Sequence, residues 1–122
     1  MLEGSGLSRN LLLGINSPRP WMEAADMAIT AGGQTMYELV HMGVPTIAIA
    51  LSEDQLLNVH SMSSAEAVLG EGKSLIDTVR DLAENQKERQ RLSDLGPTVI
   101  DGQGAMGVAR RLAELCGLVP AA

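Results

Sequence analysis

The sequence is poor in the residues that several kinds of functional site require. Cys116 is the only cysteine, which excludes an internal disulfide and a cysteine-cluster metal site and favours a reducing, cytoplasmic compartment. Trp21 and Tyr37 are the only aromatic residues, so bases cannot stack between several rings. No apolar run approaches the roughly 20 residues that cross a bilayer. We therefore expect no membrane span, disulfide or base-stacking platform.

Positive charge is scarce as well. The 122 residues include 15 acidic and 9 basic side chains, which gives a formal net charge of −6. Nucleic acid and anionic membranes attract basic surfaces, so neither is an expected partner. A phosphorylated small molecule is compatible with this charge, because main-chain N–H groups at a helix N-terminus bind phosphate without Lys or Arg. The composition predicts one globular domain over residues 11–122, after a flexible N-terminus over residues 1–10.

A strand–helix–strand unit between residues 25 and 50 organises the chain. Residues 27–30 and 46–50 are short apolar runs, typical of strands that are buried on both faces. Gly43 and Pro45 end the intervening helix, since glycine suits the position after a helix and proline cannot continue one. The apolar residues of that helix recur at the spacing of one face: Met36, Leu39 and Val40. This order predicts a βαβ unit with a parallel sheet, and hence an α/β fold.

Further elements are predicted on both sides of this unit. Residues 11–15 could form a strand, residues 21–25 one helical turn, and residues 65–69 a short third strand. Ser52 suits the N-cap of a helix over residues 53–63, with Gln55 at the capping-box position.

The C-terminal third of the sequence is predicted to be helical. Ser74 and Asp77 begin a helix that includes the charged segment 84–91 and ends at Gly96 and Pro97. A last amphipathic helix covers residues 105–116. Its inward side is predicted to consist of Ala109, Leu112, Ala113 and Cys116.

Polar residues and glycines follow both strands of the unit, at the edge where α/β proteins bind ligands. Gly32 and Gly33 would allow a phosphate to approach free N–H groups, although a tight turn between a strand and a helix is the simpler explanation of two glycines alone. Helix capping likewise explains the polar residues after the second strand nearly as well as sugar binding does. The candidate residues are Gly32, Gly33, Gln34 and Thr35 after the first strand, and Glu53, Asp54 and Gln55 after the second.

Three other polar residues stand on predicted helices. Glu38 could accept hydrogen bonds from a ribose diol, or it is an ordinary exposed carboxylate. His41 and His60 have no third ligand at metal spacing, and we interpret them as surface or packing residues. No Ser-His-Asp or Cys-His set can be assembled, so the catalytic residues are unknown and no metal or cofactor is predicted.

The central stretch resembles a known family. The segments that carry the resemblance are ADMAITAGGQTMYELVHMGVPTIAIA, SEDQ and LIDTVRDLAENQKERQRLSDLGPTVIDGQGAMGVARRLAEL. They look like the C-terminal half of the UDP-sugar hydrolase of the pseudaminic acid pathway and of its spore-coat polysaccharide relatives. More distantly they are similar to the UDP-N-acetylglucosamine transferase of peptidoglycan synthesis. These are GT-B enzymes, which hold a nucleotide sugar between two Rossmann-like halves, so the resemblance implies a truncated C-terminal GT-B half.

The resemblance also implies roles for the candidate residues. The segment from Gly32 to Thr35 would hold the diphosphate of UDP or a UDP-sugar, and Glu38 would bind the ribose. Glu53, Asp54 and Gln55 match the family's Glu-Asn-Gln run and would contact the sugar or the phosphates. Asp54 replaces the family's Asn, which places a carboxylate near a diphosphate.

The N-terminal half of that family, with its catalytic histidine, has no counterpart in this sequence. We therefore expect a binding half-domain that is inactive alone. The strand at residues 27–30 would have an open edge unless residues 11–15 or another chain cover it. The expected partner is a second copy or the missing half. The alternative is a non-catalytic remnant that self-associates or binds another protein.

Overall fold

The computed structural model describes residues 6, 8–70 and 74–120. Most of the predicted flexible N-terminus lies outside the described residues. The mixed order of elements confirms the α/β fold and is consistent with a partial Rossmann-like arrangement. The elements are α1 (Arg19–Glu23), β1 (Ala28–Ala31), α2 (Gln34–His41), β2 (Thr46–Ile49), α3 (Glu53–Ser64), α4 (Leu75–Glu84), α5 (Gln86–Val99) and α6 (Gly104–Leu115).

The sheet consists of β1 and β2, which pair in parallel with α2 between them in sequence. The register places Ala28 beside Thr46 and Ala31 beside Ile49. Leu69 adds a single parallel bridge on the other side of β2, where its N–H donates to the carbonyl of Thr46 at 3.0 Å. The predicted third strand is therefore reduced to one bridge.

The outer edge of β1 has no partner strand among the described residues. The prediction that residues 11–15 could form a strand is wrong, because this segment is irregular and exposed. Leu11 and Leu13 are 83% and 78% exposed, so burial does not hold this segment in an extended conformation.

Two apolar clusters lie on opposite faces of the sheet. Ala48 belongs to one cluster and Ile47 to the other, and successive residues of a strand point to opposite faces. The Ala48 cluster includes side chains from α2 and α3, while the Ile47 cluster includes Leu82 of α4 and Leu92 of α5. β2 is thus covered by helices on both sides, as its apolar sequence predicted. The same prediction is wrong for β1, in which no residue is buried and Ile29 is 51% exposed, because this strand lies at the unpaired edge of the sheet.

The end of α2 confirms the prediction made from its glycine. Gly43 has φ +72°, a left-handed conformation that glycine adopts without a steric penalty. The N–H of Gly43 donates to the carbonyl of Val40 at 3.0 Å, and the N–H of Val44 donates to that of Leu39 at 2.9 Å. These two bonds form a Schellman motif, which satisfies the last carbonyls of the helix and turns the chain into β2.

The predicted helix from Ser74 onward is two helices, separated at Asn85. The side chain of Asn85 accepts a hydrogen bond of 3.0 Å from the N–H of Glu88 and so caps α5. Arg89 donates from its guanidinium to the carbonyl of Leu82 at 2.8 Å, which satisfies the end of α4. Local side-chain bonds at both helix ends explain the break.

The predicted end at Gly96 and Pro97 is also wrong, since α5 continues to Val99. A proline within a helix leaves the carbonyl four residues earlier, here that of Ser93, without its helical donor. A Cβ on Gly43 would lie 2.9 Å from this carbonyl oxygen and 3.6 Å from Cγ of Pro97. The end of α2 therefore packs over the point where the backbone hydrogen bonds of α5 are interrupted.

The predicted inward face of α6 is not buried. No residue of this helix is buried, and of the four residues predicted to face inward Ala113 alone is half-buried. An amphipathic pattern predicts that one side of a helix is buried, but it does not identify the element that buries it. Within the described part of the chain, no helix has both the length and the apolar character required to cross a membrane.

Candidate functional site

The two loops that carry most of the predicted site residues lie side by side. Gly32 donates from its N–H to the carbonyl of Ile49 at 3.0 Å, which joins the end of β1 to the end of β2. The carbonyl of Gly32 accepts a bond of 3.0 Å from the side-chain amide of Asn58 in α3. The main chain of Gly32 is therefore held between the second strand and the helix that follows it.

The two glycines differ in what the surrounding structure requires of them. A Cβ on Gly32 would lie 2.5 Å from Cγ2 of Val59 and 3.1 Å from the carbonyl oxygen of Gln55, so close packing requires glycine there. Among the residues that the structure describes, a Cβ on Gly33 would meet only the side-chain nitrogen of Gln55, at 4.0 Å. The φ of Gly33 is −104°, which other residues also adopt. Neither packing nor backbone conformation requires glycine at position 33.

Gly33 is the N-cap residue of α2 and, as a glycine, has no side chain that could cap the helix. The first N–H groups of a helix have no acceptor within it, and they carry the positive end of the helix dipole. Gln34 and Thr35 occupy the first two helical positions, with both side chains exposed. The start of α2 thus combines an unhindered backbone with two donors of the first turn and the hydroxyl of Thr35.

The first turn of α3 forms the other side of this edge. Ser52 is the N-cap residue, as predicted, but its hydroxyl makes no capping bond. Gln55 instead accepts a bond of 3.1 Å from the N–H of Leu51 through Oε1, a variation of the predicted capping box. This bond orients the other end of the amide, Nε2, towards Gly33. Glu53 and Asp54 are exposed in the same turn and carry its negative charge.

Glu38 lies one turn further along α2, on the wall of a separate open groove of about 520 Å³ between α1 and α2. At the α1 side of this groove, Arg19 and Glu23 form an ion pair of 2.6 Å. The hydrogen bond from Arg19 raises the pKa of its guanidinium above the ordinary value, and the charge of Glu23 acts in the same direction. The groove is lined by Ser17, Pro18, Arg19, Met22, Glu23, Glu38, His41 and Met42. We call it the α1–α2 groove.

The structure thus places the predicted residues in three places: the start of α2, the first turn of α3 and, for Glu38, the α1–α2 groove. Asn58 was not predicted as part of this region. Its position three residues after Gln55 and beside the apolar Val59 places it on the inner side of α3, which is the signal the sequence offers. Among the residues that the structure covers, no three His, Cys, Asp or Glu side chains group as a metal site would require.

Comparison with known proteins gives one similarity and two negative results. The chain is similar to the spore coat polysaccharide biosynthesis protein SpsG of Bacillus subtilis (strain 168), with 29% identity over 101 residues. The match covers 77% of this chain and 30% of SpsG, so the chain spans less than a third of that relative. No family model and no solved structure matches the chain. The similarity supports a distant relation between this chain and the SpsG family.

Proposed function

We propose that this chain binds UDP or a UDP-sugar at the carboxyl edge of its sheet. It would form the nucleotide-sugar-binding half of a glycosyltransferase-like enzyme or a UDP-sugar hydrolase and would be inactive alone, in the cytoplasm. The segment from Gly32 to Thr35 would hold the diphosphate, and Glu38 would bind the ribose. The residues Glu53, Asp54 and Gln55 would contact the sugar or the phosphates.

The glycine at position 33 carries this proposal. Its conformation and its surroundings would accept a side chain, so its own packing gives no reason for glycine. Close approach of a ligand to the backbone gives one, since a phosphate at a helix N-terminus contacts main-chain N–H groups directly. The positive end of α2 supplies the attraction that the acidic chain otherwise lacks.

The neighbouring features fit a ligand that extends in two directions from this point. Towards α3, the amide of Gln55 faces Gly33 and offers a donor to an oxygen. Along α2, Glu38 reaches a groove of about 520 Å³, which falls within the volume range of small-molecule pockets. The relation to a polysaccharide biosynthesis protein supports a sugar nucleotide as the ligand class.

Calorimetric titration of the purified chain with UDP tests the proposal. Gly33→Asp adds a carboxylate at the N-cap, where Asp also stabilises helices, so the variant should fold. Gly33→Asn has the same size without the charge and serves as the matched control. We expect the wild type to bind UDP saturably. Gly33→Asn should reduce the affinity because of its bulk, and Gly33→Asp should reduce it further because its charge repels the phosphates. Absence of binding by the wild type at millimolar UDP would reject the proposal.

The proposal that the isolated chain is inactive has its own test. An N-terminal half of a related enzyme is added to the chain, and UDP-sugar hydrolysis or sugar transfer is measured with and without it. Turnover only in the mixture supports the half-domain. Turnover by the isolated chain would contradict it.

The open edge of β1 favours a second candidate function, self-association. Ile29 in the middle of this strand is 51% exposed, and an unpaired edge with an apolar residue is a template for another strand. Sedimentation of the wild type and of Ile29→Lys at micromolar concentration tests it. A dimer that the lysine abolishes supports pairing through this edge, and a monomeric wild type contradicts it.

A further inference from the structure

His41 has one ring nitrogen whose role is fixed by the main chain. Its Nδ1 lies 2.8 Å from the carbonyl oxygen of Ile100, in the segment that leads from α5 to α6. A carbonyl oxygen can only accept a hydrogen bond, so Nδ1 must carry the hydrogen. In the neutral ring, the lone pair then lies on Nε2. The fold therefore selects one tautomer, in which Nε2 is an acceptor.

The same segment also holds the ring in place. Gly102 has φ +75°, and a Cβ on it would lie 2.8 Å from Cε1 and 3.1 Å from Nε2 of His41. The backbone of Gly102 thus packs against the ring, where a larger residue would displace it.

His41 is one of the residues that line the α1–α2 groove, and it is exposed. It lies three residues after Glu38, so the two side chains share one face of α2. Both offer acceptors, Nε2 on the ring and the carboxylate oxygens of Glu38. Pro18, Met22 and Met42 supply apolar surface beside them. A groove with two acceptors on an apolar wall fits a ligand that presents two N–H or O–H donors from a flat or ring-shaped body.

We propose that His41 binds the nucleoside portion of the ligand in this groove, with Nε2 accepting a hydrogen bond from a ligand O–H or N–H. The proposal rests on the nucleotide binding proposed above and adds a residue that would determine which nucleoside is accepted. Glu38 and His41 together would favour a nucleoside with donors at both points. Ile100 and Gly102 would act as positioning residues for the ring.

Two substitutions of His41 separate its two nitrogens. The amide of Asn reaches the place of Nδ1, so His41→Asn keeps a donor to Ile100 and removes the acceptor in the groove. The amide of Gln reaches the place of Nε2, so His41→Gln keeps the acceptor. We expect the Asn variant to bind UDP about fivefold to tenfold more weakly, which corresponds to one hydrogen bond, and the Gln variant to stay within about twofold. His60→Gln, on the exposed side of α3, is the control for loss of a histidine.

Nitrogen NMR of the wild-type imidazole rings gives a readout that a purely structural role would not change. The free protein should show hydrogen on Nδ1 of His41, and addition of UDP should shift the Nε2 resonance while Nδ1 stays protonated. An unmoved Nε2 resonance in a protein that binds UDP would overturn the role of His41 and leave the proposed function intact. Equal affinity of wild type and His41→Asn would do the same. Failure of the wild type to bind UDP would reject both proposals.

Two UDP analogues identify the donor. The 2′,3′-dideoxy form lacks the ribose hydroxyls, and the N3-methyl form lacks the imide N–H of the base. The loss of affinity caused by His41→Asn should disappear with whichever analogue lacks the group that His41 binds. A penalty that persists in full with both analogues would contradict the proposed contact.

Discussion

Gly96 of α5 lies directly against the main-chain carbonyl of Val40 in α2, with no space for a side chain between them. Gly96 and Val40 are both buried, and α2 and α5 are in extensive contact. Glycine is unfavourable within a helix by roughly 0.5–1 kcal/mol relative to alanine. Here the close approach of the two helices explains its presence.

Gly96→Ala is therefore expected to destabilise the fold by about 1–3 kcal/mol, because the new methyl group must separate the two helices. Gly107→Ala is the matched control. Gly107 also lies within a helix, α6, and a Cβ there would meet nothing within 4 Å. That variant should gain roughly 0.5–1 kcal/mol from helix propensity. Urea denaturation measures both, and equal effects of the two substitutions would contradict the packing explanation.

Glu66 has φ +57°, the only left-handed conformation of a non-glycine residue in the described structure. It follows the C-cap of α3, where glycine is favoured. Glu66→Gly should stabilise the fold by up to about 1 kcal/mol, since it removes a Cβ penalty of roughly 1–2 kcal/mol and the entropy cost of glycine, roughly 0.5–1 kcal/mol, offsets part of the gain. The carboxylate also lies 4.0 Å from the guanidinium of Arg91. Glu66→Ala removes that carboxylate but keeps a Cβ, so thermal melts should show no gain for it.

Glu88 makes the stability depend on acid pH. Arg91 donates two hydrogen bonds to its carboxylate, at 2.6 and 2.9 Å, and these lower the pKa of Glu88 more than its partial burial raises it. A carboxyl group with a lower pKa in the folded state stabilises the fold above its unfolded pKa, about 4.3. This contribution is lost as the pH falls through the folded value.

The substitution Glu88→Gln should cost about 0.5 kcal/mol at pH 7, because both side chains of the pair are partly exposed. The difference from the wild type should shrink as the pH falls from about 5 to 3. Urea denaturation at a series of pH values measures it. A difference that stays constant over this range would show that the ion pair is not its source.

Asp54→Asn should strengthen UDP binding if the diphosphate lies at the starts of α2 and α3. Removing an exposed carboxylate near two phosphates should improve affinity about fivefold at low ionic strength, and the gain should fall as salt is added. Asp77→Asn in the first turn of α4 controls for the change in net charge. Equal effects of the two substitutions in calorimetry would place the phosphates away from Asp54.

The parts of the fold that were predictable from sequence depend on local signals. Gly43 followed by Pro45 specifies a helix end through backbone conformation alone, and the structure has the end there. Gly96 and Pro97 give a similar signal within a helix that continues, because contacts with Val40 and Gly43 determine that region. Those contacts join residues about 50 positions apart in sequence, so no local pattern could reveal them.

The distinction between local signals and contacts of residues far apart in sequence also applies to the candidate site. The adjacency of the two loops followed from the parallel strand order, and the structure places Gly32 against α3. The amide of Asn58 and the bond from His41 to Ile100 depend on how α3 and α5 pack, which the sequence did not specify. The apolar side of α6 was predictable, but its exposure was not.

The unpaired edge of β1 gives that strand an alternating pattern of amide hydrogen exchange. The N–H of Ala28 donates to the carbonyl of Pro45, directly before β2, and that of Gly32 donates to the carbonyl of Ile49 at the end of β2. The register assigns the N–H of Thr30 to the same side. Ile29 and Ala31 point their N–H groups the other way, so their deuterium uptake should be fast while that of the other three is slow. Any strand added to this edge would slow Ile29 and Ala31 alone. The exchange rates of these two amides therefore report directly on occupancy of the edge, whether by a second copy or by another protein.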